Sequence, residues 1–262
     1  VKFNTNLLGR EGFSAPLREI HEIEFSSRCN LACKYCPHPK MARAKADMSQ
    51  ETFDATIAHL SHLVMVGTQG EVSLTGIGEA ILHDRFIPWM QAIRGVIGWN
   101  RKLVVATNGV ALTRDIALAM AEQKAIVYVS THRPEKAGPA VEMLKSVGCS
   151  FGTNTAFVDS AMDWAGQVQW FTSMEASMCS YLQKRWGAVR QDGSVNTCCM
   201  DAESKYPLGS VYDEPGSLRV WATSLCANCN LVAPKEYRRD GVWPIDLVEF
   251  TNARDRAKQM VA

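Results

Sequence analysis

The sequence carries almost no net charge. Its 28 Lys and Arg offset 27 Asp and Glu, leaving a formal charge of +1 over 262 residues. The electrostatic footprint of a nucleic-acid binder or a polybasic membrane binder is therefore missing. No apolar run reaches the roughly 18 residues that a membrane-spanning helix needs. Val1 to Leu17 has no apolar core of the kind a secretory signal requires. These absences lead to the expectation of a cytoplasmic chain whose partner is a small molecule or a peptide, with no nucleic acid and no membrane. Hydrophobic residues make up 47% and charged residues 21%, an ordinary globular composition. The length suits one large domain or two unequal ones.

Cysteine, in contrast, is plentiful. There are nine, an odd number that cannot all pair, and without a secretory signal a disulfide framework is not expected. Cys29, Cys33 and Cys36 form one group. Cys179, Cys198, Cys199, Cys226 and Cys229 form another, with only Cys149 between them. The layout implies two metal sites on separate pieces of structure. The first group has a C-x3-C-x2-C spacing. Three thiolates so close in sequence converge only if the loop wraps around one object. A zinc ion would need a fourth protein ligand, for example His38. A 4Fe-4S cubane has four irons, so three cysteines leave one iron open to a small chelating molecule.

The stretch from Cys29 to Cys36, CNLACKYC, resembles the signature of the radical S-adenosylmethionine (SAM) enzymes. The resemblance implies that these three cysteines hold a 4Fe-4S cluster whose open iron binds the amino and carboxylate groups of SAM. It also implies reductive cleavage to a 5'-deoxyadenosyl radical, which takes hydrogen from a substrate. Tyr35 fits the same signature.

Periodicity adds a scaffold. Alternating strand and helix patterns run from Glu19–Phe25, through a helix over Gln50–Val66, a strand at Glu71–Thr75 and a helix at Phe86–Ile97, to a strand at Lys102–Thr107. They continue with a helix at Thr113–Glu122 capped by Thr113, a strand at Ala125–Ser130, a helix at Lys136–Val147, and weaker strands at Ser150–Val158 and Val168–Thr172. About six βα units fit in roughly 170 residues, whereas a full eight-fold barrel takes about 250. The expected fold is α/β, a partial (β/α)6 TIM-like barrel over residues 1–172, and the resemblance implies the same architecture. Active sites of such folds lie at the C-terminal strand ends.

Those ends carry candidate binding residues. Gly76, Gly78 and Glu79 lie in a turn whose glycines permit close backbone approach. The turn resembles the family's GGE-type motif, which implies contact with the SAM amino group. Ala80 stands where many relatives have Pro. Thr107 and Asn108 resemble the family's TNG stretch, and Ser130 is the candidate for the ribose. His132, Arg133, Trp164 and Gln167 are candidate substrate contacts, with a core role as the alternative for Trp164. His83 reads as a packing or surface residue. The basic residues Lys34, Lys40, Arg43 and Lys45 read as a solvated loop, with an anionic substrate or a flavodoxin- or ferredoxin-type reductant as the functional alternative.

From Met178 onward short strands replace long helices. Asp192-Gly193 predicts a hairpin between Ala188–Gln191 and Ser194–Cys198. Leu208–Val211 reads as a strand and Leu218–Thr223 as a short helix. Cys179, Cys198, Cys226 and Cys229 offer four thiolates around this hairpin, and spacing alone leaves zinc and a second iron-sulfur cluster open. Residues 173–262 resemble the Twitch domain, a short relative of SPASM, which implies a second 4Fe-4S cluster on these four cysteines. On an alternating strand only one of Cys198 and Cys199 can face it. Cys198 closes the family spacing, leaving Cys199 and Cys149 as free thiols.

Taken together, the motifs most resemble the 2-deoxy-scyllo-inosamine dehydrogenases. This implies a radical SAM oxidoreductase acting on a small polar, aminocyclitol- or sugar-like substrate, with the auxiliary cluster accepting an electron. A second reading is a peptide-modifying enzyme, an epimerase or crosslinker. The short segment before Glu19 leaves little room for a leader-binding domain, and an epimerase would need a hydrogen-donating thiol. A third is a non-catalytic electron carrier, which would not bind SAM.

Overall fold

The structure, a computed structural model, describes residues 14–226 apart from 34, 132–133, 155–178 and 224. Its centre is an eight-stranded sheet. In chain order the strands are β2 (Glu19–Ile23), β3 (Val72–Leu74), β4 (Leu103–Thr107), β5 (Ile126–Ser130), β6 (Ser150–Asn154), β7 (Trp186–Val189), β8 (Ser194–Asn196) and β9 (Pro207–Ser210). A separate pair joins β1 (Ala15–Pro16) to β10 (Arg219–Val220). The spatial order is β6-β5-β4-β3-β2-β7-β8-β9. Strands β2 to β6 run parallel, with register pairs such as Leu74 with Val105 and Thr107 with Val129. Among the described residues the sheet stays open, with β6 and β9 at its edges.

The connections are helices α1 (Gln50–Met65), α2 (Phe86–Ile97), α3 (Arg114–Glu122) and α4 (Pro134–Ser146), the alternation expected of a partial TIM-like barrel. Two of them, α1 and α3, begin at side-chain caps. The Ser49 side chain accepts from the Thr52 amide at 3.1 Å and caps α1. Thr113 caps α3 in the same way at 3.3 Å. Both satisfy amides that a helix start leaves without partners. Phe25, Phe53 and Trp89 then lock β2, α1 and α2 together. Phe53 stacks on Trp89 at 4.2 Å, and Phe25 meets Trp89 edge-on at 5.4 Å, geometries favoured by the aromatic quadrupole.

The C-terminal hairpin does not stand apart from this sheet. Strand β7 pairs parallel with β2, Ile23 opposite Val189, before turning back through β8 and β9. The Asp192-Gly193 turn forms as expected, with Gly193 at φ +87°, a conformation that glycine adopts without strain. A short helix α5 (Ser180–Lys184) precedes β7. The expected helix at Leu218–Thr223 is instead the strand β10. Leu218 and Val220 are buried while Arg219 between them is exposed, a period of two that pairing with β1 satisfies. No helix of the described residues is long and apolar enough to cross a membrane.

Candidate SAM and iron-sulfur site

The loop after β2 is pinned at both ends before it reaches its cysteines. The Ser27 amide donates to the Ala46 carbonyl at 2.9 Å, the Met48 amide to Phe25 at 2.8 Å, and the Ser26 hydroxyl to Asp47 at 2.7 Å. His38 is buried, with Nε2 3.1 Å from the Ser27 carbonyl. Between these anchors Cys29, Cys33 and Cys36 all face one cavity of about 230 Å³. The Cys36 thiol is pushed up to about 11, mainly by burial and in smaller part by the neighbouring Cys33 and Cys29. Burial raises Cys29 as well. Cys29 and Cys36, desolvated and in electrostatic contact with each other, favour the neutral form until a metal replaces their protons. Among the described residues no three His, Cys, Asp or Glu side chains close around a single-ion position.

The same cavity gathers every described residue expected to contact SAM. Gly76, Gly78 and Glu79 line it from the turn after β3, Thr107 and Asn108 from the end of β4, Ser130 from the end of β5, and Tyr35 from the cysteine loop. These are the C-terminal strand ends, where the fold class places its chemistry.

Glu79 is the electrostatic focus. Its Oε2 accepts from the Asn108 amide at 2.8 Å, while Oε1 is buried without a partner. Burial lifts its carboxyl to about 7. A buried, half-satisfied carboxylate fits a ligand ammonium. Asn108 connects Glu79 to the cysteines, because its Nδ2 donates to Asn30 at 2.8 Å and lies 3.8 Å from the Cys29 sulfur.

The glycines serve the protein's own packing. A Cβ on Gly78 would sit 2.2 Å from the Ser26 carbonyl oxygen, and one on Gly76 would sit 2.4 Å from the Glu24 side chain. The turn lies directly on the backbone leading into the cysteine loop, and the Glu79 amide donates to the Arg28 carbonyl at 2.7 Å.

Several buried polar residues here were not singled out from the sequence. Glu24 accepts from the Ile77 amide at 3.0 Å and pairs with Arg43 at 2.9 Å and Arg190 at 3.5 Å. Arg43 also donates to the Ala202 carbonyl and the Gln191 side chain, so the solvated-loop expectation fails at this position. Buried acids draw it inward, while Lys40 and Lys45 stay exposed. The missed signal was Glu22 and Glu24, two acids at alternate positions where β2 runs between the apolar Ile20, Ile23 and Phe25. His83 is a packing residue, accepting from the Arg85 amide through Nδ1, with Nε2 3.0 Å from the Met48 carbonyl.

Of the second cysteine group, Cys179 lies within electrostatic reach of both Cys226 and Cys199. Burial pushes Cys226 up to about 11 and Cys199 up to about 12. Cys199 lines the cavity shared with Cys29. Fully buried Arg190 donates from Nη2 to the carbonyls of Cys198, Cys199 and Asp201, each at 3.2 Å. Cys229, His132, Arg133, Trp164 and Gln167 lie outside the described residues, as does the boundary at residue 172.

A partial α/β barrel with three cysteines after its first parallel strand, a buried acid after the second and an Asn after the third defines a SAM-cleaving enzyme class. Residues 23–156 match the Radical SAM superfamily, and the chain belongs to it. Membership implies a 4Fe-4S cluster and SAM, and the thiol trio and the free Glu79 oxygen suit both. The fold is shared with BtrN, solved in complex with AdoMet (SAM) and 2-DOIA, at 18% identity and a TM-score of 0.59 over 92% of this chain and 87% of that one. It is also shared with anSMEcpe with bound AdoMet, at 17% identity and a TM-score of 0.56 over 75% of this chain and 79% of that one. Molybdenum cofactor biosynthesis protein 1 of Dictyostelium discoideum is 32% identical over 95 residues, 36% of this chain. The chain spans only 14% of that relative's length.

Proposed function

We propose that this enzyme is a radical SAM oxidoreductase that abstracts hydrogen from a small polar, aminocyclitol- or sugar-like substrate and passes an electron to an auxiliary 4Fe-4S cluster. The observation that carries this reading is a single cavity bounded by the cysteine loop, the Glu79 turn and Cys199. Cys29, Cys33 and Cys36 would hold the first cluster. Cys179, Cys198, Cys226 and Cys229 would hold the second. With SAM bound, the first cluster supplies reductive carbon–sulfur cleavage to a carbon radical, and the second supplies an electron acceptor.

The chain's own residues do the positioning. Glu79 offers Oε1 to the SAM ammonium while the Asn108 amide fixes Oε2. Ser130 lies in the cavity wall and would meet the ribose of SAM. Arg190 clamps the carbonyls around Cys198, and Glu24 ties that clamp to the Ile77 amide beside Gly76 and Gly78. This rigid link suits electron transfer between a substrate near one group of cysteines and an acceptor on the other. The likeness to BtrN, solved with 2-DOIA, supports the substrate class at the level of fold.

The test is anaerobic incubation of reconstituted protein with SAM and a low-potential reductant of the flavodoxin type. Formation of 5'-deoxyadenosine and methionine is expected, together with an aminocyclitol or sugar product lighter by two hydrogens. No 5'-deoxyadenosine from a cluster-loaded sample would overturn the reading.

The position of Cys199 supports a second reading, hydrogen return to a substrate radical as in an epimerase acting on a peptide. The readings separate in deuterated water. A thiol donor exchanges with solvent and leaves deuterium on the reacting carbon, whereas oxidation to a ketone leaves no hydrogen on that carbon.

A further inference from the structure

Two buried acids alternate on strand β2 and the residue after it, Glu22 and Glu24, and so share a face. Their surroundings differ. Both oxygens of Glu24 meet arginines, Arg43 and Arg190, and one also takes the Ile77 amide. Glu22 has one side-chain hydrogen-bond partner, the Tyr181 hydroxyl, which donates to Oε1, and it lies within electrostatic reach of Arg190 and Cys199. Its Oε2 is buried with no hydrogen-bond partner, and the residue as a whole is 8% exposed. Unlike Glu24, Glu22 lines the cavity shared with Cys29, Glu79 and Cys199. An unsatisfied buried carboxylate oxygen costs stability. At Glu24 the cost is offset inside the fold. At Glu22 Arg190 supplies charge from a distance, and the hydrogen-bond donor that Oε2 lacks is left for the cavity to provide.

We propose that Glu22 is the substrate-recognition carboxylate of this site, its free oxygen accepting a hydrogen bond from a hydroxyl or ammonium group on a saturated carbon of the substrate. Tyr181 is the positioning residue. By donating to Oε1, it leaves Oε2 for the ligand. Tyr181 is itself held by Trp186, edge-on at 5.4 Å, and Trp186 stacks on His21 at 3.6 Å. The acceptor therefore stands on a packed support. The two carboxylates of the cavity divide the work, Glu79 for the ammonium of SAM and Glu22 for the donor of the substrate. The inference rests on the reading of the cavity as shared by SAM and a small polar molecule.

The test is calorimetric titration of anaerobically reconstituted, SAM-saturated protein with scyllo-inosamine, which carries an ammonium and hydroxyls, and with scyllo-inositol, which carries hydroxyls alone. At least one should bind the wild type, and Glu22→Gln should weaken it by about 10- to 100-fold, the range for a hydrogen bond to a charged group. Selective loss of scyllo-inosamine assigns the ammonium, and equal loss of both assigns a hydroxyl. The assignment is overturned if neither probe binds the wild type, or if Glu22→Gln binds as the wild type does. Should Glu22→Gln not fold, Glu22→Asp keeps the charge but withdraws the oxygen by one methylene. The same direction of weakening is then expected, and unchanged affinity overturns the proposal. Wild-type SAM cleavage is measured alongside. Its absence overturns the reading of the cavity, whereas cleavage with unaltered probe affinity in the variants overturns only the role of Glu22.

Discussion

Glu24 and Arg190 meet at 3.5 Å with 1% and 0% of their side chains exposed, joining the strand that leads into the first cysteine loop to the hairpin that carries the second group of cysteines. Arg43 completes the cluster from the loop between. A buried pair of this kind adds little net stability, but losing one member leaves the other charged and uncompensated. Arg190→Met or Glu24→Gln is expected to destabilise the fold by about 3–5 kcal/mol. The double variant should cost less than the sum of the two. Additive losses in chemical denaturation would show that the two residues are not coupled.

Glu79 sets a pH signature. Its carboxyl lies at about 7 in the fold, above its ordinary value of 4.5. A raised carboxyl contributes stability below the unfolded value, and that contribution is lost as pH rises through the folded one. The SAM-free protein should therefore lose stability between pH 4.5 and about 7. SAM affinity should change the other way, rising through about pH 7 as the carboxylate forms. It should fall again above roughly pH 8 as an α-ammonium group deprotonates. Glu79→Gln should weaken SAM about 10- to 100-fold and flatten the rising limb. Equilibrium binding across pH measures both.

Iron content tests the division of the cysteines. Two cubanes correspond to about eight irons per chain. Replacing Cys29, Cys33 and Cys36 together by Ala should remove about half of the iron and abolish 5'-deoxyadenosine. Replacing Cys179 should remove the other half. Cys198→Ala should lose iron and Cys199→Ala should retain it. The reverse result would move the ligand role to Cys199.

Gly78→Ala places a methyl group 2.2 Å from a backbone oxygen, where no side chain can rotate away. A cost in the 1–3 kcal/mol range or above is expected, together with reduced iron incorporation at the adjacent loop. Gly76→Ala meets the Glu24 side chain instead and should weaken the Arg190 pairing. Thermal unfolding and iron analysis report both effects.

How much of this was legible in the residues follows from the range of each signal. The cysteine loop, the Glu79 turn and the Asn108 strand end are local patterns, a few residues long. They follow strands whose apolar runs are equally local, so sequence alone determined the α/β class, the helix cap at Thr113, and the glycine, Glu79, Asn108 and cysteine positions that meet in the cavity. The Asp192-Gly193 hairpin was legible for the same reason. Pairings between distant segments were not. Arg219 and Val220 became a strand because Ala15 and Pro16 lie alongside, a partner some two hundred residues away in the chain. Arg43 reads as one more surface cation until Glu24 and Gln191 are brought to it. Glu22 and Glu24 are equivalent on paper, two acids at alternate positions at the end of β2. Only the tertiary structure, which sets two arginines in ion pairs with one and leaves the other lining the cavity with Tyr181 as its hydrogen-bond partner, decided that Glu24 ties the fold together and that Glu22 is left with an oxygen to offer.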